Sequence, residues 1–123
     1  MGMNPYQKYK EEMVMTMTRG EMLVLLYDEL VKRLTSAEFL LEKHDFPNFE
    51  KQMTRAGDIV RYFCETLDYN YPISSELYRM YDFLLVEFSR ISVSRKKESL
   101  ERVRALAQEL RDTFKEAEKR ASI

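Results

Sequence analysis

Two tyrosine-aspartate pairs are the residues best suited by type to do chemistry: Tyr27-Asp28 inside LVLLYDELVKRL and Tyr81-Asp82 inside MYDFLLVEF. Carboxylates held in aliphatic surroundings could act as a general acid and base. The same pairs could instead mark where a helix turns its side from core to water. The other candidates are weaker. A dimetal bundle needs Glu-x-x-His on two helices, and the chain has one histidine, His44, at an expected helix end where the dipole favours a cation. The single cysteine, Cys64, has no second thiol for a zinc or redox motif and reads as a small core residue. Gly-rich phosphate loops, serine elbows and HExxH are absent, and the carboxylates are spread along polar faces rather than gathered round one base. A protein without catalysis, metal or cofactor is expected.

The elements that must position these residues are helices. The chain has 123 residues, 45% hydrophobic and 33% charged, with only three glycines and three prolines. That length suits one domain with a single core, and so few turn-formers disfavour a sandwich or barrel. Lysine plus arginine (20) nearly balances aspartate plus glutamate (21), which argues against a nucleic-acid binder, because such proteins need positive charge to displace counterions from phosphates. No run approaches the roughly 18 consecutive apolar residues of a membrane span. Met1-Gly2 opens like a myristoylation signal, but Tyr6 stands where that motif needs Ser or Thr. With no signal segment and no disulfide, a cytosolic protein is expected.

Thr18-Arg19-Gly20-Glu21 fits a capping box and predicts a helix from Thr18 to about Lys43, with Leu23, Leu26, Tyr27, Leu30, Leu34, Ala37 and Leu41 at helical spacing. His44-Asp45-Phe46-Pro47 predicts a break. Phe49, Met53, Ala56, Val60, Phe63 and Leu67 then form a heptad seam. Asp68 to Pro72 interrupts again, and Ser74 or Ser75 is positioned to cap a third helix running to about Val93, with Leu77, Tyr81, Leu84, Phe88 and Ile91 inward. Leu100, Val103, Ala107, Leu110, Phe114 and Ala117 predict a fourth helix to about Arg120. The expected architecture is all-α: an antiparallel four-helix bundle over residues 18–120, preceded by an N-terminal arm, residues 1–17, extended or partly helical. In the arm Tyr6 and Tyr9 lie one helical turn apart, while Met13, Met15 and Met17 alternate with Val14 and Thr16.

On these helices Tyr27 and Tyr81 fall within the apolar stripes, whereas Asp28 and Asp82 turn about 100° toward water. Asp28 is spaced to meet Lys32, and Asp82 to meet Arg79. The tyrosines are expected at the edge of burial, with each hydroxyl on water or a backbone carbonyl. The pairs therefore read as borders rather than as acids.

A small bundle needs one apolar stripe about 100° wide on each helix. Leu25, Phe39, Phe83 and Val86 point nearly opposite it. Val24, Val31, Leu40, Ile59, Leu85 and Leu106 widen the flanks, and Tyr62 and Tyr78 also lie outside the seams. So much uncommitted apolar surface predicts grooves for an amphipathic partner segment, with self-association as a homodimer the alternative.

The sequence resembles the FliS family. Asn4-Pro5-Tyr6-Gln7-Lys8-Tyr9 is similar to the family's Asn-Pro-Tyr-x-x-Tyr, and Gly20-Glu21-Met22-Leu23 leading to Leu26-Tyr27-Asp28 resembles its first helix. Met80-Tyr81-Asp82-Phe83-Leu84 resembles its Leu-Tyr-Asp-Tyr-Met, and Leu110-Arg111-Asp112-Thr113-Phe114-Lys115 resembles its Leu-Arg-Asp-Thr-Trp-Lys. Three departures stand out: Thr18-Arg19 replaces Ser-Pro, Glu29 stands where glycine is frequent, and Phe114 replaces tryptophan. The resemblance implies a cytosolic chaperone that binds the disordered C-terminal segment of flagellin and delivers it to the export apparatus, with Tyr6 and Tyr9 contacting an export gate component. The residues expected to meet partners are Tyr6, Tyr9, Leu25, Phe39, Ile59, Tyr62, Tyr81, Asp82, Phe83, Leu85, Val86 and Leu106. The arm is expected to cover part of the flagellin groove when the partner is absent. A helical adaptor that self-associates without binding flagellin is the competing reading.

Overall fold

The computed structural model describes residues 17–121 together with Pro5 and Lys8. Tyr6, Tyr9 and nearly all of the expected arm lie outside the described residues. Helix α1 spans Arg19–Glu42, α2 Phe46–Glu65, α3 Ser74–Ser94 and α4 Lys97–Ala121.

The boundaries follow from local chemistry. Thr18 caps α1, its Oγ1 accepting from the Glu21 backbone N–H at 3.1 Å. The Thr18 hydroxyl also lies 3.2 Å from the Glu21 carboxylate and 3.4 Å from the Glu118 carboxylate of α4, either of which can take its one proton. At the other end His44 adopts φ 59, and the amides of His44 and Asp45 donate to Leu41 O and Leu40 O at 3.1 and 3.0 Å. These are the paired bonds of a Schellman stop, here built on a histidine instead of a glycine. Asp45 then caps α2, accepting from the Asn48 N–H at 3.4 Å and the Asn48 side-chain amide at 2.7 Å. Phe46 and Pro47 belong to the first turn of α2 rather than to the break, because a proline there forfeits no intrahelical bond. The expected serine cap on α3 is corrected: Ile73 holds the cap position without a side-chain bond, and Ser74 is already helical and buried. The Ser74 N–H donates to Tyr71 O at 3.1 Å, so the preceding turn starts the helix.

Helix α1 packs on α2 and α4, and α3 completes the ring against the same two. Arg19 Nη2 donates to Thr66 O at 2.8 Å, joining the start of α1 to the end of α2. Lys97 pairs with Glu42, joining the start of α4 to the end of α1. Neighbours are therefore antiparallel, as the connections of three, eight and two residues require.

The core takes Leu30, Leu34, Ala37 and Leu41 from α1 and the α2 seam from Phe49 to Phe63. From α3 come Leu84, Phe88 and Ile91, and from α4 Leu100, Val103, Ala107 and Leu110. Val31, expected on a flank, is also buried. It lies on the side of α1 that faces α4, where Glu38 takes a 2.9 Å hydrogen bond from Arg104.

Candidate binding site

Toward the end of the bundle where α1 begins and α4 ends, the apolar stripes stop closing on one another. Leu23, Leu26, Leu67 and Phe114, all expected inward, are only partly buried, and Ala117 is exposed. Between them lies a cavity of about 410 Å³, within the usual range for binding pockets of about 300–1,000 Å³. Its wall comes from Met22, Leu23 and Leu26 of α1, Tyr62 and Phe63 of α2, the connection through Leu67, Tyr71 and Ile73, and Phe114 of α4. Its charged lining among the described residues is Arg19 and Asp68, so it holds no carboxylate pair.

The base of this end is aromatic, with one ring from each helix. Tyr27 stacks between Phe63 at 4.4 Å and Phe114 at 5.0 Å, and Phe63 meets Tyr81 at 5.4 Å. The two tyrosine hydroxyls lie 2.5 Å apart and share a hydrogen bond across the bundle, from α1 to α3. Both phenols are buried, Tyr27 at 0% and Tyr81 at 2% exposure, and burial pushes each above the ordinary tyrosine range. They are not border residues: each satisfies the other instead of reaching water or a carbonyl. Pairing two buried hydroxyls removes the cost that either would carry alone.

The aspartates do not join them. Asp28 lies 3.7 Å from Arg111 of α4, rather than pairing with Lys32, and Asp82 is exposed, with no ion pair to Arg79 among the described residues. Cys64 is half-buried, and burial, followed by the nearby Asp82 charge, raises its thiol pKa, which keeps it protonated and a poor nucleophile. The described residues hold no cluster of metal-ligating side chains and no helix long and apolar enough to cross a membrane.

The expected partner residues stand where the stripe argument put them, but not together. Phe39 and Phe83 are 59% and 51% exposed, and Leu25 and Val86 are also open. Leu25 and Phe39 share the outer face of α1. Ile59 and Tyr62 lie on the side of α2 turned to α1, the side on which Gln52 accepts from Arg33 at 3.4 Å. Leu85 lies on the α2 side of α3, in a shallow depression with Gly57 and Arg61. Phe83 is on the opposite flank of α3, toward α4, and Leu106 is on the flank of α4 away from the Arg104–Glu38 bond, toward α3. The apolar surplus is thus shared among several seams. Tyr81 is set beneath the surface, and Tyr6 and Tyr9 lie outside the described residues.

The cavity itself was not foreseen. Its signal was present in the stripes: Leu23, Leu26, Leu67 and Phe114 all sit at ends, beside a connection carrying Tyr69, Tyr71 and Ile73, three large and exposed side chains.

The sequence model of the family described as flagellar protein FliS matches residues 2–121. The chain belongs to the FliS family. Among FliS relatives, the flagellar secretion chaperone FliS of Bacillus subtilis (strain 168) is 26% identical over 114 residues, covering 93% of this chain and 86% of its own. A crystal structure described as a flagellar chaperone from bacteria superposes with a TM-score of 0.78 at 16% identity, covering 94% of this chain and 95% of its own. At that identity the likeness is one of fold, and it agrees with the four-helix arrangement of this FliS chain.

Proposed function

We propose that this protein is a non-catalytic cytoplasmic chaperone that binds the C-terminal segment of flagellin, keeps it from polymerising and hands it to the flagellar export apparatus. The observation that carries this reading is the surplus of large apolar side chains on a folded FliS-family bundle: Leu25, Phe39, Tyr62, Phe83 and Val86 remain exposed after the core is filled. A disordered segment that becomes helical on binding can follow several seams in turn, which suits an apolar surface divided among them. The end cavity would accept an anchoring side chain of that segment, while the seams take its helical faces. Ordering the segment opposes the burial, so the complex holds a large area yet stays removable for export.

Calorimetry with a flagellin C-terminal peptide tests this. Saturable binding with a strongly negative heat-capacity change is expected. No binding, together with concentration-dependent self-association, would favour a self-associating adaptor instead. The arm, with Tyr6 and Tyr9, is proposed as the part that an export gate component reads.

A further inference from the structure

Gly20 sits in the first turn of α1, where glycine weakens a helix relative to alanine. Its backbone gives no reason for the choice, since no glycine among the described residues has positive φ. The reason lies on α4. A Cβ placed on Gly20 would fall 1.8 Å from Glu118 Oε2 and 2.7 Å from its Cδ, so with any other residue here the carboxylate, the far end of a flexible side chain, would have to swing aside. Thr18 Oγ1 lies 3.4 Å from Glu118 Oε1, which brings the carboxylate over the amino-terminus of α1, where the helix dipole favours negative charge.

We propose that Gly20 and Glu118 form an interhelical latch that positions the wall of the cavity. Phe114 precedes Glu118 by one helical turn and so projects from a neighbouring part of the same face. It stacks on Tyr27 and lines the cavity beside Arg19 and Gly20. Seating Glu118 on the glycine draws the last turns of α4 against the start of α1 and fixes where Phe114 stands. Gly20 is the seat, Glu118 the bolt, and both are positioning residues.

The test is a cycle in the full chain: Gly20→Ala, Glu118→Ala and the two together, followed by thermal unfolding and amide exchange. In the unaltered chain Gly20→Ala is expected to raise Tm little, because the methyl displaces the carboxylate from the helix terminus and that loss offsets the gain in helix propensity. In the Glu118→Ala background the same change is expected to raise Tm more, since no carboxylate is there to be displaced. Equal shifts in the two backgrounds would overturn the latch. Either single change should speed amide exchange in residues 113–121 about fivefold, the factor set by one net hydrogen bond, with the middle of α2 unchanged. Exchange that is unaltered at the end of α4 would also overturn it. The effect on binding rests on the flagellin reading: Glu118→Ala should speed dissociation of the flagellin C-terminal peptide about fivefold. A coupled cycle with unchanged dissociation would refute the positioning of the cavity wall. Failure of even the unaltered chain to bind would refute the flagellin reading, leaving the latch to stand or fall on the cycle.

Discussion

The two ends of the bundle are built on different principles. At one end α1 passes to α2 and α3 to α4 through connections of three and two residues, and side chains of the two turns meet one another. His44 and Arg95 take the left-handed conformation, at φ 59 and 56, to stop their helices. The Arg95 guanidinium lies 3.9 Å over the Phe46 ring, and His44 meets the same ring edge-on. Lys97 pairs with Glu42. At the other end an eight-residue connection separates α2 from α3, the stripes diverge round a cavity, and closure relies on long-range contacts: the aromatic stack, the Tyr27–Tyr81 bond and Arg19 on Thr66. Short turns leave no room between helices, whereas a longer connection lets them part. The difference teaches that one four-helix bundle can close at one end through short turns and still leave a cavity at the other.

The contrast is broken most severely at the aromatic stack. Phe63→Ala removes the ring that touches both tyrosines and should cost about 3–5 kcal/mol, as for other buried aromatic truncations; urea unfolding measures it. Phe114→Ala, at a half-buried position, should cost clearly less. Next comes the hydroxyl pair. Tyr27→Phe strands the Tyr81 hydroxyl in the core and should cost about 1–3 kcal/mol, while Tyr27→Phe with Tyr81→Phe should cost less than the sum of the single changes. Additive losses would show that the bond is not formed.

The same pair predicts a sensitivity to alkali. Tyr27 and Tyr81 ionise at higher pH in the folded chain than the ordinary 10.0. The unfolded chain therefore sheds these protons first. Their contribution is complete below about pH 10 and is lost as pH rises toward the folded values, because the native state then binds more protons than the unfolded state. Denaturation at pH 8 and pH 11 should show the decline, and the double phenylalanine variant should show a shallower one.

The closed end should respond less. His44→Gly relieves a left-handed non-glycine residue and should stabilise by about 0.5–1 kcal/mol, the α-left penalty less the entropy that glycine adds to the unfolded chain; a higher Tm is the readout. The smallest effect belongs to Lys97 and Glu42. The Lys97 hydrogen bond, then its charge, holds the Glu42 carboxyl below its ordinary 4.5. Whatever the pair contributes is present above that value and fades as pH falls through the lowered one. Both groups are exposed, so Lys97→Ala should leave Tm nearly unchanged at neutral pH and in high salt.

Much of this was legible along the chain. The heptad from Phe49 to Phe63 is buried at all five positions, because helical period alone dictates which side chains share a face. Thr18 was recognisable as a cap for a similar reason, since its partner is three residues away. Tyr27 and Tyr81 were placed on the correct stripes but assigned to the edge, for the residue that satisfies each hydroxyl lies 54 positions away on another helix. Asp28 was matched to Lys32 on its own helix, whereas Arg111 of α4 approaches it. Leu25, Phe39, Phe83 and Val86 were read as exposed from spacing and are so; that they fall on separate seams required knowing which helices adjoin.

The sequence by itself determined four helices, the Thr18 cap and most of the inward faces, because those depend on interactions that reach no more than about four residues along the chain. Only the tertiary structure decided that one end closes and the other opens, that two tyrosines answer each other across the core, and that a glycine receives a carboxylate from a helix nearly a hundred residues on. Those outcomes depend on how far apart packed helices come to rest, and that separation is set jointly by all the side chains between them.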